Sequence, residues 1–409
     1  MLTLVSRSRL IRTATATAAV VAVGALAGCG VGAAAGPAPA RRPQTSVSLI
    51  TAVAEAGSTW SIVPIGGAAG KPDSFWQLLI RSPATGRWRL ATPPGVADNG
   101  GLVVAAAGTG MLTAAFVPSA LLTFTPLAST ADDGAQWAPG LLAAHLAAEP
   151  GALATLPGGW LLAIAAKTAE VSGPGGGRWT SLISVRRLAA TAAGRACGLT
   201  ALTGAAANPA DAGLAGAAAG PIGTALLTGD CDRPGQVGIF ARAGTGWRQA
   251  GPTVPGADSA DRITVLRLAS SSAGMVALLA AGTGPDEVLI PAWTTGHAAT
   301  WTVGQPFALH GSRLESISLG AGSQWGLVLS GRRGAVLGPP AGAGQPAPKL
   351  SWPTPIPLPA STAALLPGQR QLTALAPGDS SVLIWQLAAG GSWRRIQAIG
   401  VPVPPSGSG

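Results

Sequence analysis

The chain has 409 residues, with 59 Gly, 35 Pro, 47% hydrophobic and only 10% charged residues. Charge-driven disorder is excluded, because disordered chains are rich in charge and poor in apolar residues. Long helices and coiled coils are excluded too, since Gly and Pro recur every few residues and cost about 1 and 3 kcal/mol each inside a helix.

What remains is a turn-rich, strand-rich globular protein. The formal charge is +10, but the basic residues are scattered and form no stripe, so nucleic acid is not expected as a partner. The first elements in the chain form an address. Arg7, Arg9 and Arg12 make a basic start, and an uncharged run from Thr13 to Gly28 follows. That run is shorter than the roughly 20 apolar residues of a membrane span and fits the apolar region of a secretory leader. It ends in Leu26-Ala27-Gly28-Cys29, an aliphatic residue, two small ones and a cysteine. This resembles the lipobox of bacterial lipoproteins. The resemblance implies that residues 1–28 are a signal peptide and that Cys29 carries acyl chains and becomes the mature N-terminus. The lipid bilayer would then be the first partner, on the extracytoplasmic side of the cell membrane. Residues 29–46, rich in Ala, Gly and Pro, read as a flexible tether.

Residues 47–403 carry a repeat. Trp88, Trp137, Trp179, Trp247, Trp301, Trp352 and Trp393 each follow an apolar run and a turn with Gly or Ser, and each opens a second run. They recur about every 50 residues. The widest gap, from Trp179 to Trp247, contains the low-complexity stretch Gly204 to Gly220, which reads as an insert. Pro93, Pro252, Pro306 and Pro357 stand five residues after their Trp and are expected to end strands, having no N–H to donate to the ladder. Between the hairpins lie further short runs: 47–53 and 59–65 before Trp88, 263–268 and 275–280 before Trp301, and 314–319 and 325–329 before Trp352. Four short strands per period of 40 to 50 residues is the signature of a propeller blade. The expected fold is all-β, a β-propeller of seven four-stranded blades, with each Trp wedged between adjacent blades. Six or eight blades, or two β-sandwiches, are the alternatives. Residues 404–409 are expected to be a disordered tail.

One copy of the hairpin is more complete. Thr130-Ala131-Asp132-Asp133-Gly134-Ala135-Gln136-Trp137 resembles the Asp-box (S/T-x-D-x-G-x-x-W) of BNR-repeat, sialidase-like propellers. The other six hairpins keep the Trp and lack the Asp. The resemblance implies a propeller and a structural turn, remote from any catalytic face.

Chemistry is sparse. The chain has no Tyr, the nucleophile of the usual sialidase mechanism. Its three His, at 145, 297 and 310, lie far apart and without ligand-spaced partners, so no metal and no cofactor is expected, and no catalytic residue is assigned. Cys197 and Cys231 are expected to pair in the oxidising compartment beyond the membrane. The blade assignment would gather charged residues on the rim formed by the second-to-third strand loops and the blade-to-blade connections. These include Asp230, Asp232, Arg233, Asp258, Asp261, Asp286, Glu287, His310, Arg313, Arg332 and Arg333, the candidate partner-binding set. The leading expectation is a monomeric binding or scaffold module for an envelope protein or a cell-wall glycan. The alternative is a carbohydrate-active hydrolase or lyase using rim carboxylates.

Overall fold

The structure, a computed structural model, describes residues 49–53, 58–65, 75–94, 101–108, 110–116, 122–147, 151–208, 220–256, 261–271, 274–294, 300–339, 355–368 and 371–402. Cys29, the leader, the tether, Asp258, Trp352 and the tail lie outside the described residues. Among those described, the strands form seven antiparallel meanders of four. Blade 1 holds β1 (Leu49–Val53), β2 (Thr59–Ile65), β3 (Phe75–Arg81) and β4 (Trp88–Leu90). Blade 2 holds β5 (Leu102–Gly108), β6 (Met111–Phe116), β7 (Thr125–Thr130) and β8 (Ala138–Leu142). Blade 3 holds β9 (Leu153–Thr155), β10 (Leu161–Ala165), β11 (Thr168–Ser172) and β12 (Trp179–Ser184). Two short helices, α1 (Val185–Ala189) and α2 (Ala192–Cys197), lead to blade 4, which holds β13 (Leu199–Ala207), β14 (Ala225–Cys231), β15 (Ile239–Ala243) and β16 (Gly246–Gln249). Blade 5 holds β17 (Thr264–Ser271), β18 (Gly274–Ala281), β19 (Val288–Thr294) and β20 (Trp301–Val303), with β21 (Phe307–Ala308) also pairing to β19. Blade 6 holds β22 (Leu314–Leu319), β23 (Trp325–Leu329), β24 (Arg333–Leu337) and β25 (Ile356–Pro357). Blade 7 holds β26 (Ala364–Pro367), β27 (Leu372–Pro377), β28 (Ser381–Leu387) and β29 (Trp393–Gly400). The expected all-β, seven-bladed propeller is the observed fold.

The second strands show why these sheets stack. β18 reads GMVALLAA and is buried along its whole length. Met275, Ala277, Leu279 and Ala281 face a core shared with blade 4, through Leu226 and Ile239. Val276, Leu278 and Ala280 face the opposite core, shared with blade 6 through Ile317 and Leu327. Period-2 alternation thus sends successive side chains into two different cores. Each blade is apolar on both faces and needs a neighbour on each.

The tryptophans sit at those interfaces. Trp179 of blade 3 donates its indole N–H to the Leu141 carbonyl of blade 2 at 2.7 Å. Trp301 of blade 5 donates to Ala250, just after β16 of blade 4, at 2.6 Å. Trp393 of blade 7 donates to Pro357 of blade 6 at 2.8 Å. Trp137 packs on the core that includes Ile80 and Ala91 of blade 1, Trp247 on the core that includes Leu188 and Cys197 beyond blade 3, and Trp88 on Val382 and Ile384 of blade 7. Six described indoles therefore each lean on the preceding blade. Between blades 7 and 1 the polar link is reversed: Gln397 of β29 accepts from Trp88 N–H at 3.1 Å and donates to the Trp88 carbonyl at 2.6 Å.

Blades 1 and 6 depart from independent units. β1 pairs in parallel with β22, Leu49 opposite Ile317 and Ala52 opposite Leu319, so the two blades share an eight-stranded sheet. β26 of blade 7 packs against β22, β23 and β1. Glycine permits that approach. A Cβ on Gly326 would fall 1.8 Å from the Leu365 carbonyl oxygen.

The sequence expectation for the insert needs correction. Gly204 to Ala207 belong to β13, so the extra length begins at Asn208, in the β13–β14 connection of blade 4. Residues 202–207 are buried within β13, which pairs with β14. Pro93, Pro252 and Pro306 lie beyond their strands as expected, while Pro357 is the last residue of β25.

Gly326→Ala should push blade 7 away from blade 6. We expect a loss of at least the roughly 1–3 kcal/mol typical of overpacking. Thermal melting reports the loss, and faster amide exchange in β26 and β27 than in β10 and β11 localises it.

Candidate functional site

In each meander, the turns joining strands one to two and three to four share one rim. The turns joining strands two to three, and the connections between blades, share the other. The topology places the described candidates on that second rim, in three adjacent loop groups of blades 4, 5 and 6. Asp230 is the penultimate residue of β14, Asp232 and Arg233 follow that strand, and Asp261 and Arg262 precede β17. Asp286 and Glu287 precede β19. His310 and Arg313 precede β22, and Arg332 and Arg333 lie at the β23–β24 turn.

The first group is rigid. Cys197 and Cys231 form the expected disulfide, with Cα atoms 5.1 Å apart. It ties α2 to the end of β14. The Asp232 N–H donates to the Gly198 carbonyl at 2.9 Å, and the Arg233 N–H to the Cys197 carbonyl at 3.1 Å. Asp232 also pairs with Arg262 at 2.9 Å. The helices were not read from the sequence, although the signal is there: Ser184 and Thr191 accept from the Arg187 and Gly194 N–H groups as N-caps, and Gly198 closes α2 in the left-handed conformation.

The second and third groups are joined through backbone. The Glu287 side chain is buried, and its carbonyl accepts from the Leu309 N–H at 3.1 Å. Arg313 exchanges hydrogen bonds with Ser330 and approaches Glu315 at 3.7 Å, an exposed pair worth about 0–1 kcal/mol. Arg333 donates to Ser312. His310 and Arg332 hold positive φ, 48° and 58°, so their side chains are set by tight turns. The groups line a continuous band of rim, but the structure does not draw them into one pocket. No set of three or more potential metal ligands gathers among the described residues.

A cleft of about 440 Å³ opens instead on the opposite rim, between blades 2 and 3. Its volume is within the range of small-molecule sites. Blade 2 contributes Met111, Thr113, Ser129, Thr130, Asp132, Gln136 and Trp137, and blade 3 contributes Thr155, Gly159, Pro174 and Gly175. Met111 is exposed there, as is Gln136. The Asp-box builds one wall. Thr130 Oγ1 donates to Asp132 Oδ1 at 2.8 Å and accepts from the Gly134 N–H at 2.9 Å, while the Gln136 N–H donates to Asp132 Oδ1 at 2.9 Å. Asp133, at φ 57°, turns the chain back, and its carboxylate accepts from Ser58 of blade 1. The Gln136 N–H and the Thr130 hydroxyl hold the Asp132 carboxyl below its usual value of 3.8. Asp132 is the one acid in the lining. Glu170, whose pKa is raised by desolvation, belongs to β11 and does not line the cleft. The buried Trp137 Nε1 and Thr155 Oγ1 have no hydrogen-bond partner. Sequence reasoning saw the Asp-box as a turn and missed the cleft, because the second wall comes from loops of another blade.

No protein family profile and no curated protein sequence matches the chain. Solved structures similar to it include the GH74 enzyme of Niastella koreensis, at 12% identity and a TM-score of 0.43, covering 86% of this chain and 45% of that one. A GH74 xyloglucanase from Xanthomonas campestris is 16% identical with a TM-score of 0.47, covering 87% and 54%. A periplasmic gluconolactonase from Pseudomonas aeruginosa is 13% identical with a TM-score of 0.48, covering 84% and 97%. The chain spans about half the length of the two GH74 proteins. The propeller assignment rests on the strand order above, not on these likenesses.

Asp132→Asn tests the turn. A carboxyl whose folded pKa is depressed contributes stability above its unfolded value and loses it as pH falls through the folded value. The wild-type chain should therefore melt higher than the variant above pH 4, and the two should converge as pH drops below 3.8. Thermal melts across that range check it.

Proposed function

We propose that the protein is a lipid-anchored, extracytoplasmic binding module that holds a glycan of the cell envelope without cleaving it. The observation that carries this reading is the composition of the cleft. Hydroxyls from Thr113, Ser129, Thr130 and Thr155, the Gln136 amide, an ionised Asp132 and the Trp137 indole line it. Hydroxyls, an amide and a carboxylate match the hydroxyls of a sugar, and an aromatic ring matches its C–H face. Hydrolysis of a glycoside ordinarily needs a second carboxyl, one of the two being protonated to act as acid. The cleft lining holds a single acid, and that acid is ionised. Binding is thus favoured over turnover.

The anchor belongs to the same proposal. Acyl chains on Cys29 would hold the propeller at the outer face of the membrane, since two or more chains give stable attachment. The tether would let the rims face the wall. A second reading, an envelope protein docked on the charged rim, is favoured by the disulfide-fixed Asp232–Arg262 group, whose mixed charges suit a polar interface.

A glycan array followed by product analysis tests the first reading. We expect retention of cell-wall glycan fragments with no new reducing ends. Gln136→Ala and Met111→Ala should weaken retention about tenfold, near 1.4 kcal/mol, with unchanged melting temperature. Released product would replace the proposal with the hydrolase alternative, and undiminished retention in both variants would move the ligand elsewhere. Cys29→Ala should shift the protein from the membrane fraction to the soluble one.

A further inference from the structure

Arg267 is the fourth residue of β17, the first strand of blade 5. First strands of neighbouring blades touch one another, β9 with β13 and β13 with β17, and so surround the propeller axis. The pairing of β17 with β18 slips between Val265 and Arg267. A bulge of this kind re-aims a side chain. Val265 and Leu268 pack into the core on the blade 4 side, and Leu266 into the opposite core.

Its guanidinium reaches Gly151, which leads into β9, the first strand of blade 3. A Cβ on Gly151 would lie 1.9 Å from Arg267 Nη1 and 2.9 Å from Cζ. Blade 4 stands between blades 3 and 5 in the ring, so the side chain reaches past blade 4 on the side where the first strands meet. Gly151 belongs to the connection entering blade 3. The guanidinium therefore lies toward the rim that carries Asp232, Arg262 and the other charged loops. The Gly151 carbonyl accepts from the Ala205 N–H at 2.9 Å.

Arg267 is 8% exposed, and its Nε is buried without an acceptor. Among the described residues its Nε finds no acceptor, and desolvation, not a charged neighbour, shifts its titration. Burial lowers its pKa to about 10, which still leaves it protonated at neutral pH. An uncompensated buried cation is strongly unfavourable, and breaking a buried pair is costly for the same reason. Native buried polar groups that lack partners call for an explanation such as an unplaced ion. A planar guanidinium offers parallel donors matched to two oxygens of one anion.

We propose that Arg267 is the receptor of an oxyanion site near the propeller axis, taking a carboxylate or phosphoryl group presented from the charged rim. The site is separate from the cleft between blades 2 and 3, and it stands or falls independently of the glycan reading.

The test uses the full chain in detergent, titrated calorimetrically with inorganic phosphate and, separately, with acetate. We expect saturable one-site binding of at least one anion and a concentration-dependent rise in melting temperature. Phosphate alone would mark a phosphoryl site, acetate alone a carboxylate site, and both a general oxyanion site. Arg267→Met should lose binding at least tenfold while melting no lower than the anion-free wild type. Arg267→Lys should keep weaker binding. A purely structural arginine would instead give an anion-insensitive wild type and a destabilised methionine variant. Should the methionine variant fail to fold, selenate soaked into crystals of the wild type decides through its anomalous signal. A peak beside the Arg267 guanidinium supports the site. An empty site, or binding retained by Arg267→Met, overturns it.

Discussion

The structure depends on one constraint: no blade can bury both of its apolar faces alone. β18 makes the constraint visible, with odd-numbered side chains in one core and even-numbered ones in the other. A meander with two such faces is stable only between two neighbours, and a row of such meanders has no exposed face only when it closes. The recurring indoles do much of the joining. Trp88 and Trp247 are buried, each removing roughly 150–250 Å² of ring from water, worth several kcal/mol at about 25 cal/mol per Å², and the other four are half-buried. In blades 3, 5 and 7 the same ring also donates a hydrogen bond to a carbonyl of the preceding blade. Where the first and last blades meet, Gln397 supplies that link to the Trp88 backbone. The parallel pairing of β1 with β22 adds backbone hydrogen bonds across the same region.

Closure leaves the strands structural and assigns chemistry to the two rims. These differ in kind. The rim of blade connections is long-looped and charged, and around blade 4 it is braced by α1, α2 and the Cys197–Cys231 bridge. The described hairpin turns of the opposite rim at 82–87, 243–246 and 388–392 carry no acid. Only at blade 2 does the complete Asp-box put a carboxylate at the hairpin, and only there does the described cleft carry one. The donors that shape the turn also keep Asp132 ionised, so the same hydrogen bonds that fix the fold decide what the cleft can do. An ionised carboxylate can accept from a hydroxyl, but it cannot protonate a leaving group.

Much of this was legible from the residues alone, for a definite reason. Trp and short apolar runs are strong local signals, and the runs at 59–65, 314–319 and 325–329 coincide with β2, β22 and β23. Cys197 and Cys231 could be paired by counting. Three things were not legible. The β1–β22 pairing joins residues more than 260 positions apart and depends on how closely blade 7 can approach through Gly326, which no local pattern encodes. The boundary of the blade 4 insert was blurred because Gly204 to Ala207 have strand geometry despite low-complexity composition. The cleft and the axial position of Arg267 arise between blades, so the residues that form them are scattered in the chain. The described members of the rim set fall in three separate loop groups, and a shared rim is a weaker statement than a shared site.

Arg267 shows how composition sharpens a structural observation. With 10% of its residues charged, this chain spends little charge anywhere, and the surroundings of β17 are Ala, Val and Leu. In such a setting an arginine is the least suitable residue for simple packing. A leucine or methionine would fill similar space without losing hydration of an ion. The guanidinium is also accommodated in the connection entering blade 3, where Gly151 lacks the Cβ that would clash with it and holds φ at 74°. Two positions in different blades are thus arranged around one buried cation that the described protein atoms do not neutralise. Packing accounts for the stem of that side chain, and the proposed anion accounts for its head.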